Sequence, residues 1–511
     1  MQTRRFWFWV ALVLPTVGVL AAVWWGRFPL GIPGEWTWNR SPPPPDFPLS
    51  LFPLGIVAAL FFGLVWLGGR RMPLCTKAEA AAWLAGLVAV GFSWLWVLQE
   101  AAPPEFRLSK AAFVLFYPGS SGYFTEARYN VGDLRKFLAG YEEHMAQGDV
   151  LHIGTHPPGL IIGYRGLMQL CAASPRLRHW LEATQPESVR EAFAVIAENS
   201  RNTRRPLLPE DRCVLWLAAL LMQCGTVLTV VPLYHLIRRD SSRGASWLAI
   251  SLWPLVPALA VFLPKSDALF PLLGTALLCT WLTSWRRRSP AWGCAAGALL
   301  ACGLFLSLAL LPVACLAAAV TLWEGWLCRA EERLPQPGRR LLVCGLGAGA
   351  GFLLPVLALW LATGVNMFAV WSWNYHNHAG FYGQFARTYA KWLLVNPLEF
   401  AVAAGVPLVV AGLWALPVGP EWRKRVAGPA WAALFTAACL LFSGKNMGEA
   451  ARLWMVMLPC AVWLAAPLFE EQSSAGSVSP RVWSTWRLVW SWQLAVAVAI
   501  ALRIVGFHLP Q

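Results

Sequence analysis

Again and again the chain runs for about 18–20 residues with little or no charge, long enough as a helix to cross a hydrocarbon core of roughly 30 Å. In hydrocarbon every backbone N–H and C=O must be satisfied within the chain, which leaves helices and closed barrels. Barrel strands alternate and are far shorter, so these runs exclude a β-barrel. Composition agrees. Of 511 residues, 57% are hydrophobic and 13% charged, with 32 Trp and a mean hydropathy of +0.51. A soluble chain carries about 25% charged residues; half of that cannot coat globular domains. The expected fold is an all-α polytopic membrane protein.

The formal net charge of +15 invites a nucleic-acid reading, but its distribution argues otherwise. Basic residues stand in doublets and triplets between apolar runs: Arg4-Arg5, Arg70-Arg71, Arg238-Arg239, Arg286-Arg287-Arg288, Arg339-Arg340 and Arg423-Lys424-Arg425. That is the positive-inside footprint. The 12 Cys form no C-x-x-C pair, and most lie inside apolar runs, where Cys behaves as a small hydrophobe. No disulfide framework or thiolate metal site is implied; Cys171 and Cys213, flanking a polar segment, are the one pair placed to bridge.

Arg4-Arg5 before Phe6–Trp25 resembles a signal peptide, but the run is too long and Trp-rich for a typical cleaved one and reads as an uncleaved first span. Further spans are Ser50–Leu67, Ala80–Leu98, Cys213–Ile237, Ala245–Leu263 and Ala268–Trp285. Ala291–Trp323 reads as two short helices broken near Ser307. Leu341–Ala362, Pro397–Leu416, Pro429–Phe442, Leu453–Phe469 and Leu488–Val505 follow. The bundle is thus expected to hold about 12–14 transmembrane helices. Residues 1–98 form an N-terminal membrane unit, 99–212 a long extracytoplasmic segment and 213–511 the main bundle. With the N-terminus inside, the segments near 264–267, 363–396 and 444–452 also fall outside. Pro157–Ala173 is apolar enough to span, yet counting it as a span inverts the topology downstream; a re-entrant or interfacial helix resolves this. Pro42–Pro45 is a stiff connector. No internal repeat is visible, which weakens an inverted-repeat transporter reading.

Residues 99–212 are too polar to span and too apolar for a free tail. They contain His144, His152, His156 and His179. Asp133–Met145 reads as a helix capped by Asp133, with Leu134, Phe137, Leu138, Tyr141 and Met145 on one face. Such a helix between spans suits the bilayer surface or packing on its own small external domain. Before it stands YFTEARY, with Glu126, Arg128 and Tyr129; after it stands THPPG, with His156 opening an apolar run.

In these blocks the chain resembles the membrane-embedded glycosyltransferases of the GT-C fold. The branch is that of protein O-mannosyltransferases, lipid A aminoarabinose transferases and actinobacterial polyprenyl-phosphomannose-dependent mannosyltransferases. YFTEARY is similar to the Asp-Glu-x-Arg-Tyr signature of their first external loop, and THPPG to the His/Lys-Pro-Pro opening of the next helix. PKSD after a span, WNYHNHAGFYG, and GEAARLW opening a late span resemble further blocks, in order over roughly residues 99–460. Two features depart from that pattern. The acidic pair of the signature is here Thr125-Glu126, which puts a metal-binding role for adjacent carboxylates in doubt, and two apolar spans precede the one that leads into the loop.

The resemblance implies a GT-C-type bundle and an integral membrane glycosyltransferase of the cell envelope. It implies transfer of one sugar from a polyprenyl-phosphate donor to a glycan, lipid or protein hydroxyl outside the cytoplasmic membrane, with inversion. Its partners are that donor, the acceptor and the bilayer, with no nucleic acid. Such chemistry needs a base for the acceptor proton and cationic or N–H donors for the departing phosphate. Glu126 and Asp267 are the expected catalytic carboxylates. Arg128, His156, Lys265 and Arg452 are expected at the donor phosphate, and His376, His378, Glu399 and Glu449 at sugar or acceptor. Each also has a structural reading: an ion pair of Glu126 with Arg128 or of Glu449 with Arg452, an interfacial turn for Asp267, interfacial aromatic packing around His376 and His378. No cofactor is required, although a divalent metal fits the chemistry. His152 and His156 have the four-residue spacing of helical zinc ligands, but Gly154 and Pro157-Pro158 make a regular helix there unlikely. Rival readings are a transporter, flippase or ligase for lipid-linked glycans, and a haem-handling protein. The last is disfavoured by the absence of C-x-x-C-H and the even spread of Trp.

Overall fold

A computed structural model of the chain describes residues 2–416, 423–470 and 478–507. It is an all-α polytopic membrane protein with two small two-stranded ribbons. Among the described residues ten helices are long and apolar enough to cross a bilayer, or eleven when the bent pair Tyr389–Ala404 and Val406–Trp414 is counted as one span. That is fewer than the 12–14 expected. The remainder are shorter apolar helices, Pro290–Leu306 and Met455–Phe469, whose composition suits a membrane but whose length does not suffice alone. The break near Ser307 is present: Ser307 is extended and its hydroxyl accepts from Ala309 N, restarting the helix.

Lipid is as apolar as the helix faces, so helices associate in membranes through close packing rather than through exclusion of water. Small residues carry that packing. Pro290–Leu306 presents Gly293 and Gly297, and Pro337–Thr363 presents Gly347 and Gly351, each pair four apart. A Cβ on Gly297 would fall 2.0 Å from the Ala348 carbonyl oxygen, and one on Gly351 2.0 Å from that of Cys294. Backbone lies directly against backbone, so neither helix has a side chain to move aside. Gly297→Val is expected to force the pair apart and cost about 2–3 kcal/mol, read as a lower unfolding temperature in detergent, while Gly349→Ala, which meets nothing within 4 Å, leaves it unchanged.

The bend of 103° between Tyr389–Ala404 and Val406–Trp414 falls at Gly405, whose φ is +93°. Only glycine takes that conformation readily. The backbone groups freed by the bend are met by Gln493: its amide donates to Ala404 O (2.8 Å) and Leu255 O (3.1 Å) and accepts from Leu408 N (3.2 Å). Some tryptophans do similar service, their indole N–H bonded to Val65 O from Trp247, Thr226 O from Trp253 and Leu304 O from Trp371. All twelve cysteines are free, Cys171 and Cys213 included.

The basic clusters meet at one end. Arg286 is bonded to Asp240 and Glu324, Arg340 to Trp285 O and Arg286 O, Arg243 to Cys75 O, and Arg5 to Ser484. At the opposite end lies the 99–212 segment. Its expected single helix from Asp133 is two, Leu134–Ala139 and Tyr141–Ala146, because Gly140 interrupts it; Asp133 does cap, accepting from Lys136 N at 2.8 Å. Glu187–Ser200 supplies a further amphipathic helix, burying Val189, Ala192, Phe193 and Ile196. The apolar run after THPPG is the 15-residue helix Gly159–Ala173, about 22 Å long at 1.5 Å per residue and too short to cross. The WNYHNHAGFYG block, expected in an external loop, lies instead in the helix Met367–Gln384.

The N-terminal spans are tied to this same end. Between them Gly31–Ile32 pairs with Trp36–Thr37, and Asn39–Arg40 pairs with Ile504–Val505. Arg40 donates to Val23 O (3.0 Å) and Ala22 O (2.7 Å), closing the carbonyl end of the first helix.

Candidate functional site

Three short connections and one helix converge at the end opposite the basic clusters. The first runs from Val150 to His156. Asp149 gathers it, its carboxylate accepting from the backbone N–H of Leu151 (2.9 Å), Ile153 (2.8 Å), His152 and Gly154 (3.3 Å each). Asn374 and Asn377 hold it from outside, both donating to Gly154 O, at 3.0 and 2.9 Å. These two asparagines of the aromatic block therefore spend their amide N–H groups on backbone. The second connection is the turn between spans at Lys265-Ser266-Asp267, closed by Lys265 N to Phe262 O (2.8 Å) and Ala268 N to Lys265 O (3.1 Å). Beneath it Lys110, wholly buried, donates to Ala260 O at 2.6 Å and supports the carbonyl end of Pro257–Phe262. The third is 444–449, where Gly444, Asn446 and Gly448 all take positive φ. Met447 N donates to Tyr382 Oη (2.9 Å) and Gly448 N to Asn396 Oδ1 (3.3 Å).

Between them lies a polar cavity of about 60 Å³, lined among others by Tyr123, His152, His156, Lys265, Asp267, His378, Tyr382, Glu449 and Arg452. Six of the ten residues expected at the site thus share one cavity: Asp267, His156, Lys265, Arg452, His378 and Glu449. Arg452 and Glu449 are paired at 3.0 Å. Lys265 and Asp267 are buried, at 5% and 8% exposure, and their side chains make no hydrogen bond or salt bridge among the described residues. Both are available to a ligand.

The electrostatics follow from burial. Desolvation and the nearby Arg452 bring Lys265 down to about 7. Desolvation holds His156 down to about 4 although Asp267 favours its charged form, and His152 falls well below the usual histidine range through burial and the cations Lys265 and Arg452. Near neutral pH both imidazoles are therefore neutral. His156 engages Nδ1 with Thr155 Oγ1 (3.0 Å) and His152 O (3.1 Å), leaving Nε2 for the cavity. Tyr123 lies edge-on to His156, ring centroids 5.5 Å apart, and burial with Asp267 nearby keeps its hydroxyl protonated.

Four expected residues lie elsewhere. Glu126 is buried on a turn of π-helix, accepting from Asn130 Nδ2 at 2.6 Å and facing His144 Nε2 at 3.4 Å; it does not line the cavity. Nor does it pair with Arg128. Arg128 is bound instead to Glu210 (2.9 Å) and Asp211 (3.1 Å), clasping the external segment to the start of the Pro209–Leu228 helix. His376 is exposed and stacks edge-on to Trp373. Glu399 lies in a separate, mostly apolar cavity. A chain-local reading placed Glu126 and Arg128 with the site because their motif adjoins it; the Glu126 side chain instead faces the Leu134–Ala146 helices.

The residues that sequence reading missed are Tyr123 and Tyr382, and His152 as a cavity wall. The first two stand inside the quoted blocks, YFTEARY and WNYHNHAGFYG, but neither block carries the one-sided apolar spacing that would show which residues turn inward. Among the described residues no group of three His, Cys, Asp or Glu side chains is placed to hold a metal ion, so the optional divalent metal finds no ready ligand set. Compared with known proteins, the chain matches no family model and no curated protein sequence.

Proposed function

We propose that the chain is an integral membrane glycosyltransferase that moves a sugar from a polyprenyl-phosphate donor to an acceptor hydroxyl, with the reaction at the extracytoplasmic end. One observation carries this reading. Two unequal cations, Lys265 and Arg452, stand beside the carboxylate of Asp267 in a buried cavity at the membrane end remote from the basic clusters. Buried charge is expensive, and a site with one uncommitted cation and one uncommitted carboxylate suits a ligand that supplies an anion and a proton together. The donor phosphate is held by Lys265 and Arg452; neutral His156, whose Nδ1–H is spent on His152 O, offers Nε2 as an acceptor to a hydroxyl rather than to the phosphate. Asp267 accepts the acceptor proton as the acceptor oxygen bonds to the anomeric carbon; the bond from that carbon to the phosphate oxygen breaks, and its electron pair leaves on the polyprenyl phosphate. A single displacement of this kind inverts the anomeric centre. At about 60 Å³ the cavity has room for about two waters, so a sugar ring enters only when Phe381, Tyr382 and Met447 draw back.

The reading is tested by native mass spectrometry of the full chain in mild detergent, followed by transfer assays with a short-chain polyprenyl-phosphate mannose and related sugars. A bound polyprenyl phosphate that is lost in Arg452→Ala supports it. Absence of transfer with every donor, together with a haem Soret band in the absorbance spectrum, overturns it. A pH dependence follows from Lys265. Its amine, lowered to about 7 by burial and Arg452, is charged below that value and neutral above it. Affinity for polyprenyl phosphate is therefore expected to fall as pH rises from 6 through 8. Lys265→Arg, whose charge does not titrate in this range, is expected to flatten that profile; equal slopes in the two proteins would place the phosphate elsewhere.

A further inference from the structure

An apolar cavity near this end has no role in the reaction just described. It measures about 240 Å³ and lies between the Trp36–Trp38 ribbon, the Tyr389–Ala404 helix and Pro257, Phe262 and Ile500. An apolar space of roughly 150 Å³ already takes up benzene, so this one is large enough for a hydrocarbon chain segment.

Its single ionisable wall residue is Glu399. The side chain is 9% exposed. Oε1 accepts from Trp38 Nε1 at 2.7 Å; Oε2 is buried and makes no well-formed hydrogen bond, with only the backbone N–H groups of Ala450 and Ala451 facing the carboxyl group. No cation forms a salt bridge with it among the described residues: the nearby Arg452 is paired with Glu449 at 3.0 Å. A polar atom buried without a partner is costly, and apolar pockets with one or two convergent polar groups are where small amphiphiles bind.

The ribbon that closes the cavity belongs to the additional N-terminal spans, and it is fastened by Glu35. That carboxylate accepts from Thr388 N (2.8 Å), Thr388 Oγ1 (2.7 Å) and Trp392 Nε1 (2.8 Å). Those bonds hold Trp36 and Trp38 over the opening from the side of the lipid-exposed Leu398.

We infer that this cavity binds a hydrocarbon-chain amphiphile whose head group is a hydrogen-bond donor, a hydroxyl or an ammonium, seated on Glu399 Oε2. The lining fixes the tail as apolar. The carboxyl group fixes the head: an ammonium or hydroxyl donates to its oxygen, whereas a phosphate or carboxylate would set two anions together at low dielectric whenever Glu399 is ionised. This separates the occupant from a phosphate-bearing donor, which belongs with Lys265 and Arg452. The residues added at the N-terminus thereby serve as one wall of a lipid site.

Three probes with the same chain length, dodecylamine, dodecanol and dodecanoate, separate the possibilities when titrated onto the full chain in lipid nanodiscs and read by native mass spectrometry. No sugar donor is present, so the result is independent of transferase activity. A hydrogen bond to a charged group corresponds to about tenfold or more in affinity. Dodecylamine and dodecanol are expected to bind at least about tenfold more tightly than dodecanoate, and Glu399→Gln is expected to erase the preference for the amine. Ala403→Phe, which places a ring in the cavity one turn from Glu399, is expected to exclude all three. Equal binding of the three probes to the wild-type chain overturns the assignment, as does selective binding that persists in Ala403→Phe. Should Glu399→Gln fail to fold, these last two comparisons decide by themselves.

Discussion

Asp267→Asn is expected to lower sugar transfer by roughly 10²–10⁴, the span typical of a removed general base, while polyprenyl-phosphate binding is retained. The substitution keeps shape and removes only the charge and the basic oxygen. Asp267 makes no hydrogen bond or salt bridge among the described residues that the amide would break, so the fold has little to lose. Turnover and donor binding therefore separate in this variant, unlike in Arg452→Ala, where Glu449 is left without its partner at 3.0 Å and both fall together. Glu126→Gln provides the contrast. Glu126 faces His144 and Asn130 rather than the cavity, so transfer is expected to stay near the parent rate. The reverse pattern, with Asp267→Asn active and Glu126→Gln inactive, would move the base to Glu126 and remove the polar cavity from the mechanism.

At the other end of the bundle, Arg286→Ala is expected to cost about 3–5 kcal/mol of stability, the range for a buried charge left without its partner. Arg286 joins three elements. Its Nη1 lies 3.1 Å from Asp240 and its Nε 3.1 Å from Glu324, whose side chain is fully buried. Its backbone carbonyl in turn receives Arg340 at 3.1 Å. Removing the guanidinium strands Glu324 where water cannot reach it. Replacing the group as a whole is a different experiment: Arg286→Met with Asp240→Asn and Glu324→Gln removes every charge and is expected to recover at least half of the loss. Thermal unfolding of the purified chain reads both. If the single and triple variants melt together, burial of Glu324 is not the source of the cost.

Arg286 also shows how far a one-dimensional reading reaches. In the sequence it is one of three consecutive arginines and marks a membrane flank, which fits its place among the other basic clusters. Its two acidic partners stand 46 residues before it and 38 after it, and neither spacing carries a periodic signal. The break at Ser307 and the membrane class were legible for the opposite reason. Both depend on local properties, a run of apolar side chains and an interruption within it.

The candidate site divides along the same line. PKSD, THPPG and GEAARLW announced themselves because charge and histidine are rare in this chain, so any ionisable group beside a span is conspicuous. That singled out Asp267, Lys265, His156 and Arg452, which share the cavity. It singled out Glu126 and Arg128 equally, and these turn away toward His144 and toward Glu210 and Asp211. Adjacency along the chain could not tell the two groups apart. The apolar spans on either side leave WNYHNHAGFYG to an external loop, yet it forms a helix that tertiary bonds from Asn374 and Asn377 to the 145–154 segment fasten in place.

What the sequence by itself determined is that this chain lives in a membrane as helices, since apolar length and the need to satisfy each backbone group leave no other fold for such runs. What only the tertiary structure decided is which polar residues meet. Helices in lipid select their neighbours by close contact over small residues such as Gly297 and Gly351. That selection, acting between segments far apart in the chain, brings Lys265, Asp267 and Arg452 into one cavity and leaves Glu399 in another.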